Sequence, residues 1–336
     1  MSKDITVLGI ETSCDETAAA VVRSGKQLLS NVIASQIAIH AKYGGVVPEV
    51  AARSHIEVIN TVIEKAVTEA GLIWNDIDCL AVTYGPGLIG SLLMGVEAVK
   101  ALSLAKSKPV VAVNHLEGHV YANWIDRPSE PELPALCLIV SGGHSQLVLM
   151  RDHMNFEIVG STRDDAAGEA FDKVAKLLGL GFPGGPAIDK AAEKGNAGAF
   201  KLPDAKLGKD SLEFSFSGLK TAVLRLVQEL EEKGSVPVND VAASFRYTVV
   251  DTLISKTQMA IDRYQPKTVM LSGGVAANDL LRKRFETDLK GVKVTMPPKN
   301  LCTDNGAMIA AASYWHALNN DFTDLDKLIA DSSLRM

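Results

Sequence analysis

The sequence predicts an α/β protein built from two related domains that face each other. Three observations carry this. A pattern of strand, small polar turn, strand, strand occurs twice, about 130 residues apart. Each copy is followed by alternating apolar strands and helices. An acidic stretch with Pro128, Pro131 and Pro134 lies between the copies and reads as a linker. The length of 336 residues fits two domains. The first is expected over 1–131 plus 306–336, the second over 132–305.

Ile5–Ile10 is a short apolar run rich in β-branched residues, a buried strand. Glu11-Thr12-Ser13-Cys14-Asp15-Glu16-Thr17 is a turn carrying more carboxylates and hydroxyls than a turn needs. Ala18–Val22 and Gln27–Ile33 complete the meander, joined by Ser24-Gly25-Lys26. Pro48 suits a helix first turn. Ile59, Val62, Ile63 and Ala66 recur at helical spacing, and Gly71 is a stop. Cys79–Tyr84 is a strand, Ser91–Ala105 an apolar helix and Pro109–Val113 a strand. His115-Leu116-Glu117-Gly118-His119 follows at that strand's C-terminal end, the edge where α/β sheets place ligands.

The second copy comprises Ala135–Val140, the turn Ser141-Gly142-Gly143-His144-Ser145, Gln146–Met150 and Phe156–Val159. A helix from about Ala166 puts Phe171, Val174 and Leu178 on one stripe and Asp165, Glu169 and Asp172 on another. Acidic residues in a first turn suit the helix dipole, which covers Asp165 but not the deeper Asp172. Phe182–Pro186 is expected to be a rigid loop. A further helix has Leu219, Val223, Leu226 and Leu230 in register, and Asn239 is positioned to cap the next, with Phe245, Val249 and Leu253. Thr268–Leu271 ends at Ser272-Gly273-Gly274, and Val292–Met296 is the last strand. Asp304 stands just before the apolar helix Gly306–Leu318. Residues 326–336 are polar and expected to be less ordered.

The composition, 47% apolar and 22% charged, is that of a soluble globular protein. Cys14, Cys79, Cys137 and Cys302 are scattered without a CxxC pair, which fits a reducing cytosol. Met1–Ile10 lacks the basic-then-apolar pattern of a signal peptide, and Gly306–Leu318 is too short to span a bilayer. A cytoplasmic protein without a membrane partner is expected. The net charge of −6 means that any nucleic acid must be held by a local basic patch or with a partner's help.

Four motifs bear on chemistry. Gly85-Pro86-Gly87-Leu88-Ile89-Gly90 matches GxGxxG, but the next strand ends in Asn114-His115 rather than a ribose-binding acid. Its glycines are better read as points of close backbone approach or helix-on-strand packing. No P-loop is present. Ser141-Gly142-Gly143 and Gly273-Gly274, each at a strand end, offer backbone N–H groups to an anion. His115 and His119, one helical turn apart, can chelate a metal, although such a pair alone is as readily surface decoration. HExxH peptidase chemistry does not fit, because Glu117 lies roughly 200° around the helix from His115. Asp304, at an irregular strand-to-helix junction, is the candidate third ligand. Two imidazoles and a carboxylate suit Zn²⁺ or Fe²⁺.

Seven stretches occur in order: Gly9–Thr17, His115–His119, Val140–His144, Asp164–Lys173, Phe214–Lys220, Gly273–Asn278 and Cys302–Gly306. With them the chain resembles the TsaD family, bacterial tRNA N6-adenosine threonylcarbamoyltransferases once mislabelled glycoproteases. The match runs from about Val7 to Ala311. The resemblance implies duplicated actin/Hsp70/sugar-kinase-like (ribonuclease H-like) domains around a central cleft. It implies threonylcarbamoyl-AMP as donor and adenosine 37 of tRNAs reading ANN codons as acceptor. By position, His115, His119 and Asp304 would hold one divalent metal per subunit, Fe²⁺ or Zn²⁺. Ile139, Val140, Ser141, Gly142 and Gly143, with Asp172, Gly185, Asp189 and Asn278, would hold the donor. The family also implies an inert paralogue subunit (TsaB) and a small ATPase (TsaE) as partners. Asp15 or Glu16 is the expected base for the incoming amine. The rival reading is an ATP-dependent phosphotransferase or chaperone-like ATPase of the same fold, which would use Mg²⁺ and leave the histidine pair unexplained.

Overall fold

The computed structural model describes residues 4–204, 207–208 and 210–336. Residues 1–3, within the stretch read for a signal peptide and the expected first domain, lie outside the described residues. The strands are β1 (Thr6–Glu11), β2 (Glu16–Arg23), β3 (Gln27–Ser35), β4 (Cys79–Gly85), β5 (Val110–Asn114), β6 (Ala135–Val140), β7 (Ser145–Asp152), β8 (Asn155–Ser161), β9 (Thr268–Ser272) and β10 (Lys293–Thr295). The α-helices are α1 (Ile37–His40), α2 (Pro48–Glu69), α3 (Ile89–Lys106), α4 (His115–Tyr121), α5 (Ala167–Leu177), α6 (Gly184–Ala192), α7 (Ser217–Glu232), α8 (Val238–Tyr264), α9 (Asp279–Asp288) and α10 (Gly306–Leu318).

The chain divides into two compact units: Met1–His40, Val46–Pro131 and Pro297–Met336 form one, Ala41–Gly45 and Glu132–Met296 the other. The loop before α10 therefore belongs with the first unit, upstream of the 305/306 boundary expected from sequence. Leu301 and Cys302 are buried there.

The first unit's sheet has the order β3-β2-β1-β4-β5, and the second reads β8-β7-β6-β9-β10. In each, two antiparallel pairs are followed by two parallel ones. The duplicated meander is thus a duplicated topology. The central strands β1 and β6 are buried along their whole length, which explains why both read as continuous apolar runs rather than alternating ones. Pro48 occupies the first turn of α2, and Gly71, with φ +69°, follows its end.

In the first unit α10 lies directly on β1. A Cβ on Gly9 would meet the Gly306 carbonyl oxygen at 2.4 Å, and one on Gly306 the Ala20 nitrogen at 2.5 Å. Only glycines allow that approach, and it fixes the start of α10 against the sheet.

Four local expectations are corrected. Phe182–Pro186 is not all loop: α6 begins at Gly184, because Pro186 falls in a first turn whose N–H groups have no intrahelical partner anyway. Asn239 does not cap α8, which begins at Val238 after Pro237. In α7 the buried stripe is Leu219, Val223 and Val227, with Leu226 only partly covered. The polar tail is held: Leu328 and Ala330 join the first unit's core, and the Asp331 N–H donates to the Tyr84 carbonyl at 2.8 Å. No helix among the described residues is long and apolar enough to cross a membrane.

Candidate functional site

β5 ends in Asn114, whose side chain accepts the Leu116 N–H at 2.9 Å and starts α4. The cap puts His115 at the first helical position and His119 one turn on, their rings edge to face with centroids 4.7 Å apart. Asp304 arrives from the other end of the sequence. Asn305 caps α10 through the Met308 N–H at 3.0 Å and donates back to the Thr303 carbonyl at 2.7 Å, pinning the residue between. Asp304 Oδ1 then lies 3.5 Å from His115 Nε2 and 3.3 Å from His119 Nε2. One ligand atom from each of the three residues lies within 4.8 Å of the others.

His119 is fully buried, and neither ring nitrogen has a partner in hydrogen-bond geometry. Such an imidazole is costly to bury in a protein interior unless something binds it. A divalent ion would do so, and the two-nitrogen, one-oxygen set fits a borderline cation with open positions. Burial pulls the His115 pKa down, but Asp304 and Glu11 more than offset it and lift it to about 9. Burial, helped by the neighbouring His115, outweighs Asp304 and Glu11 and keeps the His119 pKa low. The pocket is therefore built to compensate positive charge.

The sequence reading does not single out Glu11, Ser13 or Thr83. Glu11, fully buried, accepts from His115 Nδ1 at 3.0 Å, from Thr83 Oγ1 at 2.6 Å and from the Ser13 N–H at 2.5 Å. Burial alone would raise its pKa, yet His115 holds it below the ordinary value. The available signal was a carboxylate closing a strand that is apolar from Val7 to Ile10. Glu117 is turned elsewhere, accepting from His316 Nε2 at 3.0 Å, while His316 Nδ1 donates to Asp321 at 2.7 Å. Burial opposes the charge on His316, but these carboxylates raise its pKa to about 9.

Asp15 and Glu16 sit where the β1–β2 turn enters β2. Glu16 accepts from the Ser35 hydroxyl at 2.8 Å through one oxygen, while the other is buried without a partner. Burial raises the Glu16 pKa to about 7 and also raises that of Asp15. His55 braces this turn: its Nε2 donates to the Cys14 carbonyl at 3.0 Å, leaving Nδ1 to accept from the Thr17 hydroxyl at 2.7 Å.

In the second unit, Ile139–Gly143 stand at the C-terminal end of β6 and Asn278 follows β9, while Asp172 lies on α5 and Gly185 and Asp189 on α6. Ile139 and Val140 are buried strand residues, and Ser141 accepts the His144 N–H at 3.1 Å to close the turn. Gly142 and Gly143 have open space where a Cβ would be, as does Gly185 in the first turn of α6. Gly273, with φ +90°, runs so close to β6 that a Cβ would meet the Val140 carbonyl at 2.3 Å. Asp189 accepts from Asn278 Nδ2 at 2.5 Å and lies 3.5 Å from Arg246, while burial raises its pKa. Asn278 also caps α9 through the Leu281 N–H at 2.8 Å. Asp172 accepts the Gly184 N–H at 2.7 Å, a carboxylate at the start of α6. Its stripe companions Asp165 and Glu169 share Lys173, at 2.8 Å each.

A family profile described as TsaD, tRNA N6-adenosine threonylcarbamoyltransferase, matches residues 27–311. A protein of that name from Desulfitobacterium hafniense is 54% identical over 324 residues, covering 96% of this chain and 95% of the relative. One from Syntrophomonas wolfei is 53% identical over 321 residues, covering 95% and 94%. The chain belongs to the TsaD family.

Solved structures show the fold of this TsaD-family chain at much lower identity. Component A of the Acidaminococcus fermentans (R)-2-hydroxyglutaryl-CoA dehydratase superposes with TM-score 0.54 at 17% identity, covering 94% of this chain and 99% of that one. HypF from T. kodakarensis gives TM-score 0.64 at 13% identity, covering 98% of this chain and 49% of HypF. The architecture is of the actin/sugar-kinase-like type. The GxGxxG match is packing in this family member: a Cβ on Gly85 would strike the Asp331 carbonyl at 2.1 Å, and one on Gly87 the Ser13 carbonyl at 2.5 Å.

Proposed function

We propose that the chain carries out the acyl transfer of its family, forming N6-threonylcarbamoyladenosine in tRNA, with a divalent metal held by His115, His119 and Asp304. The family match over nearly the whole chain carries the reaction, and the phosphotransferase reading is not favoured. The buried ligand set with an unpartnered His119 supports the metal.

Threonylcarbamoyl-AMP is the donor in this reading and adenosine 37 the acceptor. The adenine N6 amine is a poor nucleophile, so the carbonyl it attacks must carry a good leaving group. The N6 lone pair bonds to the carbamoyl carbon, the bond from that carbon to the phosphate oxygen breaks, and AMP departs. Asp15 or Glu16 takes the amine proton. Glu16 suits the task, because its pKa of about 7 lets it gain and lose a proton near neutrality. Backbone N–H groups of Gly142, Gly143 and Gly273-Gly274 hold the donor phosphate, with Ser141, whose own N–H donates to the His144 carbonyl, and Asp172, Gly185, Asp189 and Asn278 around it. A divalent ion, Fe²⁺ or Zn²⁺, supplies Lewis acidity and a template when bound.

tRNA presents its target in a loop whose bases splay out without duplex opening. With a net charge of −6 the chain needs help to hold it, which suits an assembly with an inert paralogue (TsaB) and a small ATPase (TsaE) in the cytoplasm. The test is to incubate the chain, with and without these partners, with donor and unmodified tRNA and assay the modified nucleoside. Its absence with all partners present overturns the reading. Replacing Asp15 and Glu16 together by amides is expected to abolish transfer and spare donor binding; unchanged turnover removes them as the base. Stoichiometric iron or zinc supports the metal assignment, and magnesium alone contradicts it.

A further inference from the structure

We propose that Glu11 is a positioning residue that makes His115 an Nε2 ligand and sets the strength of the metal centre. The inference rests on the metal reading above. An imidazole binds metal through one nitrogen, and the hydrogen bond on the other fixes which. Glu11 Oε2 faces His115 Nδ1 at 3.0 Å, with the Ser13 hydroxyl 3.1 Å from the same nitrogen; a carboxylate can only accept, so Nδ1 keeps its proton and Nε2, toward Asp304, is left for the ion.

Glu11 cannot easily swing away. Thr83 on β4 donates to Oε2 at 2.6 Å, and the Ser13 N–H donates to Oε1 at 2.5 Å. β1 and β4 are neighbouring parallel strands, so the carboxylate is anchored by the sheet on one side and by the β1–β2 turn on the other. Its charge also makes the ring a better donor to a cation. His119 lacks any such brace, since its Nδ1 is buried without a partner. The two histidines are therefore unequal: one is oriented before metal arrives, and the other is oriented by it.

The test is zinc titration of the purified full chain, wild type against Glu11→Gln and Thr83→Val, with ¹⁵N spectra of the zinc-loaded protein. Glu11→Gln is expected to weaken zinc binding roughly ten- to a hundredfold. Thr83→Val, which leaves the carboxylate in place but loosens it, is expected to weaken binding by a smaller factor. The spectra are expected to show His115 bound through Nε2 with Nδ1 still protonated. Wild type that binds no zinc removes the metal reading itself. Wild type that binds, with Glu11→Gln folded and equally tight or with zinc on His115 Nδ1, overturns the role of Glu11 alone. Should Glu11→Gln fail to fold, Thr83→Val decides: affinity equal to wild type overturns the proposal.

Discussion

The two sheets share one strand order, yet their strand ends present different groups. In the first unit β1 and β5 deliver side chains, Glu11 and the histidines of α4, to a cluster that the loop before α10 completes with Asp304. In the second, β6 and β9, the strands corresponding to β1 and β4, end in glycine turns that offer backbone. A side-chain site binds through particular functional groups and is lost when one is removed. A backbone site depends on close approach and is lost when bulk is added. In the proposed reading, the same topology serves a cation site in one copy and an anion cradle in the other.

The largest effect should come from the side-chain site. His119→Ala or Asp304→Ala is expected to reduce bound metal from about one ion per chain to near none and transfer by roughly 100-fold or more. Elemental analysis after dialysis and a transfer assay check this, and metal retained by both variants would break the contrast. Next comes the second unit's backbone. Gly273→Ala would force a Cβ onto the Val140 carbonyl at a positive φ, and should cost about 2–3 kcal/mol, read as a lower unfolding midpoint.

A third test concerns acid–base behaviour. With Glu16 at a pKa of about 7, transfer should rise about tenfold between about pH 6 and about pH 8, and Glu16→Gln should flatten the profile. Stability moves the other way. The folded state holds the Glu16 proton more tightly than the unfolded one, so this residue's contribution falls as pH rises from 4.5 to about 7. Glu16→Gln should remove that decline in denaturant titrations. The smallest effect is expected at Gly142. A Cβ there meets open space, so Gly142→Ala should leave stability within about 0.5 kcal/mol of wild type. If the turn cradles phosphate, the added methyl occupies that space and holds the phosphate off a backbone N–H, so AMP binding should still weaken by about fivefold, the value of one hydrogen bond. Unchanged AMP affinity would separate the turn from donor binding.

Much of this was legible locally. The two meanders showed as apolar runs broken by polar turns, and the His115/His119 spacing showed as one helical turn. Glu117 showed its misplacement by angle alone. The brace on His115 was not legible, because Glu11 lies 104 positions away and meets it only when β1 and β5 enter one sheet. The acidic stripe set the deeper Asp172 apart in the sequence but not its partner: Lys173 pairs Asp165 and Glu169 while Asp172 turns to Gly184. The polar tail looked loose because its anchors, Leu328 and the Asp331 backbone, are few and find partners only in the folded unit.

By itself the sequence determined most of the secondary elements, their duplication, the histidine pair and the double-glycine turns, since each depends on spacing within a few residues. Tertiary structure decided which of these features meet. It brought Asp304 to the histidines because Gly306 can sit on Gly9. It gave His115 a braced nitrogen and left both nitrogens of His119 open, a difference set by long-range packing rather than by the four residues between them.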